Sequence, residues 1–116
     1  MVTICNILLL TLIPILYPRK AENAVIIAIG NNAGNIAQDQ KTIAIGHYAG
    51  HAYQEPYSIA IGHYAGHVSQ SSNSIAINAT SDILDTTNSG FFVNPIRNIS
   101  QSNVLGYNQV TKEITY

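Results

Sequence analysis

Charged side chains are scarce in this chain. Lys, Arg, Asp and Glu make up only 9% of its 116 residues, whereas an ordinary globular domain has roughly 25%. The formal net charge is −1, and without a basic excess nucleic acid is not an expected partner. Asn, Ser, Gln and Thr supply the polar surface instead. This composition fits an extracellular or virion-surface β-array better than a cytosolic enzyme.

Cysteine and the usual catalytic patterns are also lacking. The single cysteine, Cys5, has no partner for an internal disulfide and lies in an apolar run, which is typical of a small buried hydrophobe. The sequence has no nucleophile elbow and no paired carboxylates, and its Gly-rich stretches are not followed by the Lys-Ser or Lys-Thr of a phosphate loop. We therefore predict a protein that is not an enzyme and needs no cofactor.

The motif Ile-Ala-Ile, followed by Gly in its first three copies and by Asn in the fourth, recurs through the middle of the chain. Ile-Ala-Ile begins at Ile27, Ile43, Ile59 and Ile75, and the offsets 43−27, 59−43 and 75−59 are each 16. A fixed period without insertions indicates a stacked array, and two glycines in each short unit argue against helices. We predict an all-β fold, a parallel β-roll or solenoid of 16-residue coils followed by a small β-hairpin segment. The structural repeat positions are Ile27, Ile29, Gly30, Gly34, Ile43, Ile45, Gly46, Gly50, Ile59, Ile61, Gly62, Gly66, Ile75 and Ile77.

Stacked coils should place equivalent side chains in ladders at the ~4.8 Å spacing of neighbouring strands. The two Ile residues of a coil share one face of its strand and Ala takes the other. We expect the Ile residues to form the core of each coil, and the small Ala residues to face other chains. The polar second half of each coil is expected to form a return turn and a second, more exposed strand. That half carries Gln in register, at Gln38, Gln54 and Gln70.

The array predicts three segments. Residues 1–23 are an apolar N-terminal segment and linker, with helix as one option, 24–79 are the β-roll array, and 80–116 are a C-terminal β segment with a hairpin. The apolar run at 4–17 is short for a membrane span of ~20 residues. It stays open whether residues 1–23 are a signal, a membrane anchor or a non-native start. Further on, Phe91–Val93 predicts a strand ended by Pro95, and two short strands about Tyr107 and Ile114 predict the hairpin.

The Ile-Ala-Ile-Gly coils resemble the head repeats of trimeric autotransporter adhesins, which are left-handed parallel β-rolls assembled as trimers. The closer resemblance is to giant-virus fibre-like proteins. It rests on residues 43–50 (IAIGHYAG), 90–97 (GFFVNPIR), 104–108 (VLGYN) and 111–116 (TKEITY), and covers roughly residues 24–116. It implies a homotrimer on the virion surface or another extracellular or cell surface. Longer relatives continue into a C-terminal intramolecular chaperone domain, which this chain is expected to lack.

Four histidines are the only candidates for a metal site. Ladders of His could hold a transition metal where three chains meet, but the first repeat has Asn31 and Asn35 at the positions of His47 and His51. The position therefore requires a polar side chain at a turn, and we predict no metal site. The candidates, were one present, are His47, His51, His63 and His67.

The tyrosines allow two interpretations. Tyr48 over Tyr64 is either a stacked ladder that stabilises neighbouring coils, which we favour, or, with Tyr53 and Tyr57, part of a recognition surface. The predicted function is a non-catalytic structural or adhesive fibre or surface protein, assembled as a trimer. Two alternatives stay open: a module that binds a host-surface glycan or matrix protein through its His and Tyr loops, and a small membrane-anchored surface protein.

Overall fold

The chain forms a β-solenoid that is followed by a small hairpin. A computed structural model describes residues 26–97, 99 and 104–115, so the expectations for residues 1–23 lie outside the described residues. Five parallel strands form one sheet in the order β1-β2-β3-β4-β5, and β6 and β7 form an antiparallel hairpin, which confirms the predicted fold class. The strands are β1 (Ile26–Ile29), β2 (Thr42–Ile45), β3 (Ile59–Gly62), β4 (Ser74–Asn78), β5 (Gly90–Asn94), β6 (Gly106–Tyr107) and β7 (Ile114–Thr115).

The period of the sequence sets the register of the sheet. Ile27 pairs with Ile43, Ile43 with Ile59 and Ile59 with Ile75, because one coil consumes one repeat. The next pairing is Ile75 with Phe91, again 91−75 = 16 residues on. Strand β5, which the sequence analysis assigned to a separate C-terminal segment, is thus the fifth strand of the same sheet. It ends at Asn94, immediately before Pro95, as expected.

The core runs along the inside of the coils and is made of small residues. The Ala of each β1–β4 strand is no more than 2% exposed, and a second Ala ladder lies beside the first. The Ile side chains project from the opposite, outer face of the sheet. The expectation that Ile fills the coil and Ala faces another chain is therefore wrong. The core cluster is Ala28, Ala33, Ala44, Ala49, Ala60, Ala65 and Ala76.

The width of the coil explains why Ala and not Ile is inside. Across the interior, a Cβ atom added to Gly50 would lie 3.1 Å from the Cβ of Ala44, so the two sides of the coil are already in contact. A side chain as large as that of Ile, directed inward in place of Ala44, would overpack this space, and overpacking typically costs ~1–3 kcal/mol. The large side chain of the alternating pattern must consequently point outward.

Buried glutamines occupy the remainder of the interior. The Nε2 atom of Gln38 donates to Oε1 of Gln54 at 2.6 Å, and Nε2 of Gln54 donates to Oε1 of Gln70 at 3.1 Å. The Gln54 and Gln70 amides also donate to the backbone carbonyls of Ile43 and Ile59. All three glutamines are at most 4% exposed. Within the described residues, every buried side-chain N or O atom has a hydrogen-bond partner.

The predicted second strand is absent from the described coils, since that side contributes only isolated bridges from Ile36 to Ala52 and from Ala52 to Val68. The chain instead turns through left-handed residues, which in each of the first three coils are one Gly (Gly34, Gly50 or Gly66) and three residues other than Gly. Their φ angles lie between 49° and 59°, a region that L-residues other than Gly rarely occupy. The three positions other than Gly repeat after 16 residues: Asn32, Tyr48 and Tyr64; Ala37, Tyr53 and Ser69; Lys41, Tyr57 and Asn73.

Glycine is required where the coils come closest. Gly46 has φ 129°, and a Cβ atom there would lie 2.6 Å from the carbonyl oxygen of Gly62 in the next coil. In the fourth coil Asn78 takes this position, paired with Gly62. Its Nδ2 donates to the carbonyl oxygens of His63 and Asp82 at 2.7 and 2.6 Å. Asn78 thereby anchors the backbone at the end of the series of stacked glycines Gly30, Gly46 and Gly62.

Larger residues close the C-terminal end of the interior. Phe92 pairs with Ala76 and stands where the earlier coils have Ala. Leu84 pairs with Ala65 and packs against the alanine core. Thr86 follows Gln70 by 86−70 = 16 residues and is 3% exposed; its Oγ1 accepts from the backbone N–H of Ser71 at 3.0 Å. Such capping is what an array needs where its stacking stops.

Among the residues that the structure describes, no helix has the length and apolar composition needed to cross a membrane.

The glutamine ladder makes a direct prediction for stability. Gln54→Leu keeps the volume but leaves the Gln38 amide N–H and the Gln70 oxygen without their partners. Because an unsatisfied buried polar group costs ~1–3 kcal/mol, we expect the free energy of unfolding to fall by ~2–4 kcal/mol in urea titrations. Gln40→Leu is the matched control, since Gln40 is only half-buried, and should change stability by less than ~0.5 kcal/mol. Equal losses in the two variants would contradict a structural role for the ladder.

Candidate functional site

Six aromatic rings gather at one corner of the second and third coils. They follow the end of β2 and of β3, beyond the turns at Gly46 and Gly62. The backbone N–H of Tyr64 donates to the carbonyl oxygen of His47 at 3.0 Å, which continues the coil-to-coil ladder through the corner. We call this group the aromatic corner; it consists of His47, Tyr48, His51, His63, Tyr64 and His67.

The rings form three stacked columns, as the ladder argument predicts. The ring centroids are 5.3 Å apart for His47 and His63, 5.2 Å for Tyr48 and Tyr64, and 5.1 Å for His51 and His67. Interplanar angles within the columns are 5° to 14°. Between columns the rings meet edge to face, so the tyrosine column separates the two histidine columns. Each aromatic pair adds ~0.5–1.5 kcal/mol beyond the area it buries.

The aromatic corner is limited to two coils. In the first coil the equivalent positions hold Asn31, Asn32 and Asn35, and the Asn32 side chain donates to that of Asn31 at 2.9 Å. In the fourth coil the chain departs from the repeat, and Nδ1 of His63 lies 3.3 Å from the carbonyl oxygen of Thr80. No periodicity in the sequence signals this last contact, because the segment after Asn78 does not follow the repeat.

The histidine columns give the corner its electrostatic character. Burial, and then electrostatic repulsion from the neighbouring His67, lower the pKa of His51. Burial removes water from the charged imidazolium, and the ring centroids of His51 and His67 are only 5.1 Å apart. Folding therefore favours the neutral form of His51.

The four candidate metal ligands are not brought to one point. His47 and His63 belong to one column, His51 and His67 to the other, with the tyrosines between them. The described residues contain no group of three or more His, Cys, Asp or Glu side chains placed to hold a metal ion. The geometry supports ring stacking and edge contacts for these histidines.

A second candidate surface is the outer face of the sheet, which we call the apolar sheet face. Two ladders of large apolar side chains run across all five strands, and none of their members is charged. Exposed fractions reach 48% at Ile29 and 54% at Phe91. Phe91 and Val93 were not recognised as part of this surface, although their 16-residue offset from Ile75 and Ile77 was a usable signal. The ladders are Ile27, Ile43, Ile59, Ile75, Phe91 and Ile29, Ile45, Ile61, Ile77, Val93.

The C-terminal hairpin is a third exposed feature. Tyr107 lies directly opposite Ile114, and Leu105 immediately precedes β6. All three are at least 59% exposed. Among the described strands, β6 and β7 contact only each other. The loop is fixed by Oδ1 of Asn108, which accepts from the backbone N–H groups of residues 110 and 111.

Comparisons of the chain with family models, with curated proteins and with solved structures find no match. The β-solenoid is compatible with a structural repeat protein.

The stacked histidines predict a loss of stability in mild acid. Because the pKa of His51 is lowered by folding, the unfolded chain binds its proton more readily. The free energy of unfolding should thus be greatest above about pH 6.5 and fall as the pH drops below it. Urea unfolding at about pH 7.5 and about pH 5.5, on either side of the ordinary histidine pKa, measures the effect.

The control replaces the four histidines with Asn, the residue that the first coil has at two of these positions. This variant should remain folded at both pH values and lose much of the difference between them. A difference as large as that of the parent chain would show that other groups cause the acid sensitivity.

Proposed function

We propose that this protein is a non-catalytic structural rod that assembles with copies of itself through the apolar sheet face. The observation that carries the proposal is the projection of ten large apolar side chains from one face of a parallel sheet whose other face is already buried. Parallel sheets are normally covered on both faces. In the described chain, only one is covered.

The size and chemistry of the face support self-association. Five strands at ~4.8 Å spacing and four residues at ~3.3 Å rise give a surface of roughly 300 Å². An apolar patch of this size is comparable to the largest patch on an ordinary monomeric protein, and such patches are often functional. A second copy offers a matching surface, since both ladders consist of the same side chains at the same spacing. Water is excluded from both surfaces at once when they meet.

Three copies are the proposed number. Rods arranged side by side about a common axis turn every sheet face inward, and cyclic closure leaves no copy of the face free. The sequence resemblance to trimeric head repeats favours three over two. The low charge and the Asn- and Ser-rich surface fit display outside the cell or on a virion, where the aromatic corner would lie on the outside of the assembly.

Replacing apolar residues of the apolar sheet face with charged ones tests whether the copies assemble through it. In the full chain, Ile45→Asp with Ile61→Asp places two carboxylates at the centre of the face, and burying them against a partner is strongly unfavourable. Sedimentation equilibrium should give a trimer for the parent chain and a monomer for the variant. Tyr53→Asp is the control, because Tyr53 is 59% exposed and lies away from the strands; it should stay trimeric. A folded parent at monomer mass across a hundredfold concentration range would refute the proposal.

A second candidate function is supported by the aromatic corner. His47 is exposed and the other five rings are half-buried, so imidazole and phenol edges reach solvent at a regular spacing. Such groups combine apolar contact area with hydrogen bonding, as aromatic residues do at many recognition surfaces. A host-surface glycan or matrix protein is the proposed partner.

Binding to a glycan array tests this second function. The parent chain should bind particular immobilised glycans or matrix proteins. The variant with Asn at the four histidine positions should not bind them, although it keeps its β-type circular dichroism. The variant with Ile45→Asp and Ile61→Asp separates the two functions, because it should not assemble but keeps the aromatic corner intact. Equal retention by the parent and the four-Asn variant would exclude the histidines of the corner as the binding surface.

A further inference from the structure

The apolar sheet face does not by itself fix how far one copy is displaced along another. Its ladders repeat Ile on the first four strands, as at Ile43, Ile59 and Ile75 in one ladder. Only the last strand differs, with the equally apolar Phe91 and Val93. A copy displaced by one coil, ~4.8 Å along the rod, still meets large apolar side chains at every overlapping level. The face drives association, but it discriminates poorly between aligned and staggered copies. Register needs a feature that does not repeat.

The area of the face points the same way. Roughly 300 Å² of flat surface is well below the ~800 Å² per partner that a standard stable interface buries. An assembly held by the sheet face alone would be weaker than a standard interface, although it would still form at high protein concentration. A second apolar contact elsewhere in the chain would strengthen it.

The C-terminal hairpin has the required properties. It occurs once in the part of the chain that the structure describes, and its two residue pairs differ, since Tyr107 pairs with Ile114 and Gly106 with Thr115. The exposed pair of Tyr107 and Ile114 forms its apolar face, which Leu105 adjoins in sequence. Leu105 is 72% exposed and the hairpin touches no other described strand. An isolated two-stranded hairpin is at best marginally stable in water, so this apolar face requires a partner.

We propose that the hairpin is the register-setting element of the assembly, and that its apolar face packs against the hairpins of the other copies. This inference rests on the proposed self-association. Because the hairpin follows β5 in every copy, parallel rods that start at the same level bring their hairpins to one end of the assembly. A rod displaced by one coil carries its hairpin out of this cluster. Staggered assemblies therefore lose contacts that the sheet face cannot restore.

Disulfide cross-linking of the full chain tests the register. In a Cys5→Ser background, one chain carries Ile29→Cys and a second, larger tagged chain carries Ile61→Cys; the two are refolded together. These positions lie in one ladder, two coils apart. In aligned copies their levels differ by ~9.6 Å, beyond the ~7 Å that a disulfide spans between Cα atoms. Displacement by one coil in the right direction halves this difference to ~4.8 Å, and displacement by two coils removes it, so staggered copies bring the two cysteines closer.

With the native hairpin, we expect disulfides that join two residues 29 or two residues 61. We expect few unequal disulfides, which join residue 29 of one copy to residue 61 of another. Replacing Leu105, Tyr107 and Ile114 with Ser should leave the rod folded and assembled. The unequal disulfides should increase on the order of tenfold, which corresponds to losing about 1.4 kcal/mol of preference for one register. Val110→Ser is the matched control. Val110 is 89% exposed in the hairpin loop, outside the apolar face, and its replacement should not change the pattern.

Two outcomes would overturn the register role. One is an equal amount of unequal disulfide with the native and the Ser-substituted hairpin in assembled rods. The other is complete dissociation of the Ser variant with the rod still folded, since the hairpin would then be the main interface. A parent chain at monomer mass would instead overturn the proposed function, so the two failures are distinguishable.

Discussion

Buried amide groups connect the successive coils of this rod through its centre. Gln54 accepts from Gln38, donates to Gln70 and also donates to the backbone carbonyl of Ile43, so it joins three levels of the structure. The amide fits only because Gly50 has no side chain; a Cβ atom there would collide with Gln54. Alanine fills the rest of the interior. Since the core has so little apolar volume, its stability depends on satisfied hydrogen bonds more than that of a typical hydrophobic core does.

The sequence period predicts those features that depend only on equivalence between coils. The parallel strands, the register of Ile43 with Ile59 and the stacking of Tyr48 on Tyr64 all follow from a constant offset. The hairpin follows from two short strand patterns around a polar turn. What the period cannot provide is the width of the coil. Alternation of Ile with Ala defines two faces, but only the distance across the interior decides which of them is inside.

The repeat pattern also did not predict that the glutamines are buried or that β5 belongs to the same sheet. A polar residue in a variable segment is usually exposed, and burial of Gln54 becomes evident only when three amides are seen to satisfy one another. Strand β5 was missed as part of the array because the sequence departs from the repeat after Asn78, where Leu84 and not residue 81 pairs with Ala65. The offset of Phe91 from Ile75 is nevertheless unchanged, so a search by spacing alone would have found it.

The anchoring of Asn78 has a consequence for covalent modification. Asn78-Ala79-Thr80 is an acceptor sequence for N-linked glycosylation. In the folded rod both hydrogens of the Asn78 amide are engaged, by the carbonyl oxygens of His63 and Asp82, and the residue is 2% exposed. A sugar on this nitrogen would displace at least one of these bonds and find no space. The closed coil thus protects its own acceptor site, and a glycan at Asn78 would identify a chain that was modified before its fourth coil had formed.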